Sequence, residues 1–271
     1  MRIAAVFVLF VTAYGAEPDA IPYDGAIVSP AETQAFLAKI CPGHVIAAGC
    51  SVCPSETGFP NNAETWQLRA IVFGHFLSST SEGALVTGFG CESHAAGLGG
   101  GFLFTKDGAS WRKVWYGASE AEDHCKKLTA ADGRDLLVCE AQDMHQGFAD
   151  TFLYVMVPGK TEENGLNIFF SVDDSLGSCV SLPDGAVESG SIESVSFHGT
   201  RIVVVAQVGK AIVPQKVLED CGMSNFQRKP IITTVRRRYE FLFDGQNVTP
   251  IPGNPPTEAP VTSWSPATRQ K

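Results

Sequence analysis

From Trp66 onward the chain consists of short apolar runs separated by turn-forming residues. Runs of this length, with Gly, Asp and Asn between them, are typical of β-strands joined by turns. Roughly ten such runs occur, among them "WQLRAIVF", "RDLLVCE", "TFLYVMV" and "TRIVVVAQV". The pattern predicts an all-β domain, built either as a β-propeller with repeated antiparallel sheets or as a β-sandwich.

One helical pattern precedes the strands, in "SPAETQAFLAKIC". Ser29 can cap the helix, Pro30 suits its first position and Glu32 completes a capping box. We therefore predict one short N-terminal helix near residues 30–40. The segment 251–271 is rich in Pro, Thr and Ser and has no periodicity, which predicts a flexible tail after a single β-rich domain.

The first residues have the pattern of a secretory signal peptide. Arg2 is followed by an apolar run and then by the small residues Gly15 and Ala16. The run is shorter than the roughly 20 residues that span a bilayer. We expect a signal peptide over residues 1–16, a domain over 17–250 that is secreted or periplasmic, and no membrane span in the mature chain.

Two segments of the chain resemble each other. Residues 81–97 and 131–147 share an acid–Gly turn, an apolar run with Leu-Val, a Cys-Glu pair, then His and Gly. A third copy begins at "FHGTRIVVVAQVG". A period of about 40–50 residues with four strands is typical of a propeller blade. Unrelated strands that follow similar turns are the alternative.

Two short motifs resemble those of propeller families. "FGHFLSSTSEGALVTG" resembles the start of FG-GAP or VCBS repeats, but "SSTSEG" stands where that family has calcium-binding aspartates. "TKDGASW" resembles the Asp-box of sialidase-type blades, one residue short between Asp107 and Trp111. The resemblance implies a propeller topology and carries over no calcium site.

The eight cysteines predict disulfides, because an even number in an exported chain is typical of bonded pairs. Cys125 and Cys139 each lie seven residues from Asp132, at the turn of a predicted hairpin, so they should face each other and pair. Cys179 and Cys221 are expected to form another pair. The pairing stays open for Cys41, Cys50, Cys53 and Cys91.

A zinc site is the alternative at the first cysteines. Cys41, His44, Cys50 and Cys53 are residue types that bind zinc, at a spacing that no standard zinc finger has. The export signal favours disulfides instead. We predict no metal there and no cofactor elsewhere.

The net charge of −9 disfavours nucleic acid as a partner, because an acidic chain repels phosphate. The motifs of serine hydrolases, nucleotide-binding proteins and zinc proteases are missing from the sequence. The weak catalytic candidates are loop residues that could move protons: His94, His145, Glu92 and Asp143. The alternative is that these residues belong to polar turns.

The sequence thus supports three functional hypotheses. The first is a non-catalytic module that binds an unknown ligand or protein at its loop face. The second is a hydrolase on a propeller scaffold that uses the loop histidines and carboxylates. The third is a structural envelope protein. Convergence of the four candidate residues in one pocket would favour the hydrolase.

Overall fold

The computed structural model describes residues 28–58, 65–91, 98–117, 124–160, 167–181, 185–223, 230–253 and 261–265. The helices of this part are α1 (Pro30–Ile40), a 3-10 turn (Ser55–Thr57) and α2 (Gln215–Met223). The strands, in chain order, are β1 (Val45–Ile46), β2 (Gly49–Cys50), β3 (Trp66–Gly74), β4 (Gly83–Phe89), β5 (Leu98–Asp107), β6 (Ser110–Gly117), β7 (Cys125–Thr129), β8 (Asp135–His145), β9 (Phe148–Met156), β10 (Asn167–Asp174), β11 (Ala186–His198), β12 (Arg201–Ile212), β13 (Ile231–Ile232), β14 (Val235–Phe243), β15 (Val248–Pro250) and β16 (Trp264–Ser265).

The strands form three consecutive antiparallel sheets. The first sheet has the order β1-β2-β3-β4-β5-β6, the middle sheet β10-β9-β8-β7, and the third sheet β11-β12-β14-β15. The short strands β13 and β16 form a separate pair. The predicted β-rich class and the N-terminal helix are confirmed, whereas α2 was not predicted.

The middle sheet is apolar on both faces. Along β8, Leu136 and Val138 contact the third sheet, while Leu137 and Cys139 contact the first sheet. Strand β9 alternates in the same way. Because successive side chains of a strand point to opposite faces, a strand buried on both sides needs an unbroken apolar run. This explains "LLVC" and "FLYVM", and it places the middle sheet between the other two.

Helix α1 covers the outer face of the first sheet. The Ser29 hydroxyl accepts a hydrogen bond from the Glu32 backbone N–H at 3.2 Å, as the capping pattern predicts. Phe36 and Leu37 of the helix are fully buried. The Phe36 ring packs edge-on against Phe104 of β5, with the ring centroids 5.0 Å apart. The helix thereby closes one side of the stack.

The outer face of the third sheet is charged along β14. Arg236 pairs with Glu193 of β11, and Arg238 pairs with Glu240, which also contacts Arg201 at 3.2 Å. On the inward face of β14, Tyr239, Phe241 and Phe243 are buried in the core, and Arg237 is half-buried. Near the other end of this face, α2 buries Leu218 in an apolar cluster.

The stack has two different ends, because each sheet is an antiparallel meander. The end that carries the connections β3–β4, β5–β6, β7–β8, β11–β12 and β14–β15 is called the turn end. The opposite end, called the loop end, carries the connections β4–β5, β6–β7, β8–β9, β10–β11 and β12–β13.

Hydrogen bonds join all three sheets at the turn end. The buried Asp135 carboxylate accepts from the His75 backbone N–H at 2.8 Å, which joins the middle sheet to the first. The Ala131 N–H donates to the Gly245 carbonyl oxygen at 3.2 Å, which joins the middle sheet to the third. Hydrogen bonds therefore connect hairpin turns that are remote in sequence.

Part of the C-terminal segment is docked on the third sheet. Strand β16 pairs with β13, and Val261 forms a bridge with Lys210 of β12. The Thr262 N–H donates to the Lys210 carbonyl oxygen at 2.6 Å. Composition predicts a flexible tail over 251–271, but residues 261–265 of it are paired with other strands.

The β8–β9 turn gives a stability test. Gly147 has a φ of +84°, and a Cβ atom there would collide with the backbone of Gly177 and Ser178. Gly199, in the β11–β12 turn, has a φ of +62° but open space around it. We expect Gly199→Ala to cost about 1 kcal/mol for the left-handed backbone, and Gly147→Ala to cost roughly 2–4 kcal/mol, because it adds the collision.

Urea unfolding of the two variants measures this difference directly. Equal losses of unfolding free energy would mean that the β8–β9 turn is not packed against the β10–β11 loop.

Candidate functional site

Disulfides hold the segments that enter or leave the sheets at the loop end. The four bonds are Cys41–Cys50, Cys53–Cys91, Cys125–Cys139 and Cys179–Cys221. Cys125 and Cys139 lie directly opposite each other on β7 and β8, with 4.1 Å between their Cα atoms. This is the pairing that reflection about Asp132 predicts. Cys179 and Cys221 are also bonded to each other, as expected.

The bonds answer the questions that the sequence left open. Cys41 pairs with Cys50, and Cys53 pairs with Cys91. The cysteines around His44 are therefore in disulfides and carry no free thiol. All eight cysteines are in disulfides. Cys139 is therefore part of a cross-strand bond and has no thiol that could act as a nucleophile.

The β8–β9 hairpin projects at the loop end. Its tip is a two-residue turn, Gln146 and Gly147, in which both residues have positive φ. Turns of this type match the twist of the strands that they join. Gly147 lies against Gly177 of the β10–β11 loop, and the Cys179–Cys221 disulfide ties that loop to α2. The hairpin tip therefore rests on a covalently held loop.

Three aspartates form a row across the middle sheet near this tip. Asp143 of β8 is the register partner of Asp150 of β9, which in turn is the partner of Asp173 of β10. Register partners point to the same face of a sheet, here the face turned toward the first sheet. The Asp173 side chain is exposed, but partial loss of its hydration raises the pKa of its carboxyl above the ordinary value, and the negative charge of Asp150 raises that pKa further. Both causes disfavour the ionised form.

The neighbouring loop is fixed by hydrogen bonds. The Asp174 carboxylate accepts from the Leu176 backbone N–H at 2.9 Å and from the Ser189 hydroxyl at 3.3 Å. Next to it, the Glu188 carboxylate pairs with Lys210 at 3.2 Å. The Asp174–Ser189 contact joins the end of β10 to the start of β11, and thereby the middle sheet to the third sheet.

Large apolar side chains are exposed at the same end. Met144 at the hairpin tip is 62% exposed, Val180 in the β10–β11 loop 55%, and Ile212 at the end of β12 62%. Large apolar side chains that are exposed to solvent are candidates for contact with a partner. We call Asp143, Met144, Asp150, Asp173, Val180 and Ile212 together the hairpin-tip surface.

The structure places only part of the predicted site. Glu92 and His94 lie in residues 92–97, outside the described residues. His145 ends β8 opposite Phe148, and its side chain is likewise outside the description. Asp143 is exposed in the carboxylate row. Within the described residues, no cluster of His, Cys, Asp and Glu has the geometry to hold a metal ion.

Sequence reasoning missed Asp150 and Asp173 as partners of Asp143. The signal was present, because Asp143 and Asp150 are equally distant from the Gln146–Gly147 turn. Glu140, the glutamate of the Cys-Glu pair in the same repeat segment as Asp143, points to the opposite face of β8 by the alternation of side chains. The two carboxylates therefore cannot share a site on one face of the sheet.

No protein-family model matches the chain, and no curated protein sequence matches it. Among the helices of the described ranges, none has the length and apolar character needed to cross a membrane.

The raised pKa of Asp173 predicts that its charge destabilises the fold. We expect Asp173→Asn to raise the melting temperature at pH 7, modestly, because the side chain is exposed and screened by solvent. The gain in melting temperature should appear as the pH rises from about 4 through the raised pKa of Asp173 in the folded state. At lower pH the gain should vanish, because Asp173 is then protonated in both the folded and the unfolded state.

Asp244 provides the matched control. Backbone N–H groups of Asn247 and Gln246 lower the pKa of its carboxyl. Asp244→Asn should therefore lower the melting temperature at pH 7, with the loss disappearing as the pH falls through the folded pKa. Thermal unfolding across this pH range measures both variants. A lower melting temperature for Asp173→Asn at pH 7 would contradict the repulsion between the aspartates.

Proposed function

We propose that the protein is an exported, disulfide-stabilised binding module without catalytic activity, and that it contacts its ligand with the loop end of a propeller-like stack. The observation that carries the proposal is the hairpin-tip surface. It exposes large apolar side chains on a part of the fold that disulfides and hydrogen bonds hold in place. A preformed surface binds without the cost of ordering its loops.

Export is supported by the cysteine chemistry. Disulfides persist in oxidising compartments and are rare in the cytosol of most organisms. All eight cysteines are bonded, and the N-terminal sequence has the pattern of a signal peptide. The module would therefore act outside the cytoplasm, in a secreted or periplasmic setting.

The propeller-like arrangement is supported by the repeat. The three similar segments supply β4, β8 and β12. Strands β8 and β12 are the second strands of their sheets in chain order, and β4 is the second after the two short strands β1 and β2. Neighbouring sheets pack face to face, as blades do. "TKDGASW" spans the tight turn between β5 and β6, the last two strands of its sheet. We infer that the three sheets are blades stacked side by side without closing into a ring. Helix α1 covers the outer face of the first sheet, and the outer face of the third sheet is charged.

A hydrolase is the second candidate, and one observation favours it. Asp150 and Asp173 face each other, and the pKa of Asp173 is raised. Two neighbouring carboxyl groups with different pKa values are the arrangement that general acid–base catalysis uses. Asp173 would then be the proton donor and Asp150 the base.

Binding measurements with surface variants test the proposed function. The mature protein is screened against immobilised peptides, proteins and glycans, and in parallel against ester, peptide and glycoside substrates. We expect a ligand without turnover, and about tenfold weaker binding for Met144→Ser with Ile212→Ser, which removes apolar contacts at the loop end.

Leu77→Ser is the matched control, because Leu77 is 42% exposed but lies at the turn end. Its binding should equal that of the unaltered protein. Turnover that Asp150→Asn abolishes would contradict the binding module and establish the hydrolase instead.

A further inference from the structure

We propose that Asn247 is a site of N-linked glycosylation. The chain contains one Asn-x-Ser/Thr sequence with a residue other than proline in the middle, Asn247-Val248-Thr249. This is the acceptor sequence of the oligosaccharide transferase of the eukaryotic secretory pathway. The inference rests on the export that is part of the proposed function, since only a chain that enters this pathway meets the enzyme.

The alternation of side chains at the start of β15 turns both acceptor residues outward. Val248, the middle residue, packs against the core between the middle and third sheets. Since neighbouring residues of a strand point to opposite faces, Asn247 and Thr249 lie on the outer side of the third sheet. Both residues are exposed. The fold can therefore hold a glycan in solvent without moving a core side chain.

The β14–β15 turn is compatible with a sugar on Asn247. The Asn247 backbone N–H donates to the Asp244 carboxylate at 2.8 Å, and the Asp244 backbone N–H donates to the Asn247 carbonyl oxygen at 3.1 Å. The Asn247 side chain also lies near that carboxylate. Its amide nitrogen carries two hydrogens, and glycosylation replaces only one of them. The backbone contacts of the turn and one side-chain donor thus remain.

The surface around the turn leaves room for a glycan. Leu242, the register partner of Thr249, is 44% exposed on the same outer face. Helix α2 packs near the opposite, loop end of this face, away from Asn247. Among the described strands, β15 is also the edge of the third sheet. A glycan at the start of β15 would hinder pairing with a strand of another molecule, which is the hazard of an exposed edge.

The transfer is a displacement at one carbon atom. The donor is an oligosaccharide linked to a lipid through pyrophosphate. The Asn247 Nδ2 atom forms a bond to the anomeric carbon of the first sugar, and the bond between that carbon and the phosphate oxygen breaks. The lipid pyrophosphate leaves with the bonding electron pair, and the proton that Nδ2 loses passes to a base of the transferase. The Thr249 hydroxyl is recognised by the enzyme and is not consumed.

Secretion from cultured eukaryotic cells tests the site. The full chain is expressed with residues 1–16 in place, and protein from the medium is analysed by peptide mass spectrometry. The measurement is repeated after digestion with an amidase that removes N-linked glycans. We expect a glycan on the peptide that contains Asn247, and an aspartate at this position after digestion, because the amidase hydrolyses the side-chain amide.

Conservative variants separate the acceptor from its surroundings. Asn247→Gln and Thr249→Val should lose the glycan, because each removes a group that the transferase requires, whereas Thr249→Ser should keep it. Asn167→Gln is the matched control, because Asn167 is also exposed on a strand but has no hydroxyl residue two positions later. Pro250 restricts the backbone of Thr249, so Pro250→Ala should raise the glycosylated fraction.

Secreted protein without a glycan, or with a glycan that Thr249→Val retains, would overturn the proposal and leave export intact. A chain that stays in the cytosol with free thiols would overturn export and the glycosylation site together. Because Asn247 lies at the turn end, ligand binding at the hairpin-tip surface is measured independently of either result.

Discussion

The middle sheet is apolar on both faces, and this constraint determines the rest of the fold. Strands β8 and β9 bury a continuous run of side chains, so each face must be covered by another sheet. Burying each large apolar side chain stabilises the fold by about 1.5–3 kcal/mol. The first and third sheets provide the cover, and each is left with one outer face. Helix α1 shields one of these faces, and ion pairs make the other compatible with water.

The two ends of the stack are stabilised by different means. The turn end has short hairpins, whose backbone groups and the Asp135 carboxylate bond across the sheets. The loop end has longer connections, and there the chain uses covalent bonds. By the loop-entropy model, closing the loops of Cys53–Cys91 and Cys179–Cys221 contributes about 4 kcal/mol each, and closing Cys125–Cys139 about 3 kcal/mol. The hairpin-tip surface can therefore expose apolar side chains while the backbone beneath it stays in place.

Local patterns in the sequence predict the local structure well. The cap at Ser29 begins α1, and symmetry about Asp132 places Cys125 opposite Cys139. The same symmetry about Gln146 and Gly147 pairs Asp143 with Asp150. Helix α2 follows Pro214 and so has no comparable capping side chain, and its apolar residues Val217, Leu218 and Cys221 span little more than one turn.

The layer order could not be predicted, since it depends on which faces of distant strands meet. A run such as "LLVC" indicates burial on both sides but does not say what covers each side. The carboxylate row at the loop end consists of three aspartates on three strands, and only strand register brings these residues together.

Native-state hydrogen exchange tests the layered arrangement most directly. Amides in strands covered on both faces should exchange only through global unfolding, because no partial opening exposes them. We expect the amides of β8 and β9 to be the most protected in the chain, and those of β6 and β15, at the edges of the outer sheets, to exchange much faster. Exchange in β8 and β9 as fast as in β6 and β15 would contradict the placement of the middle sheet between the other two.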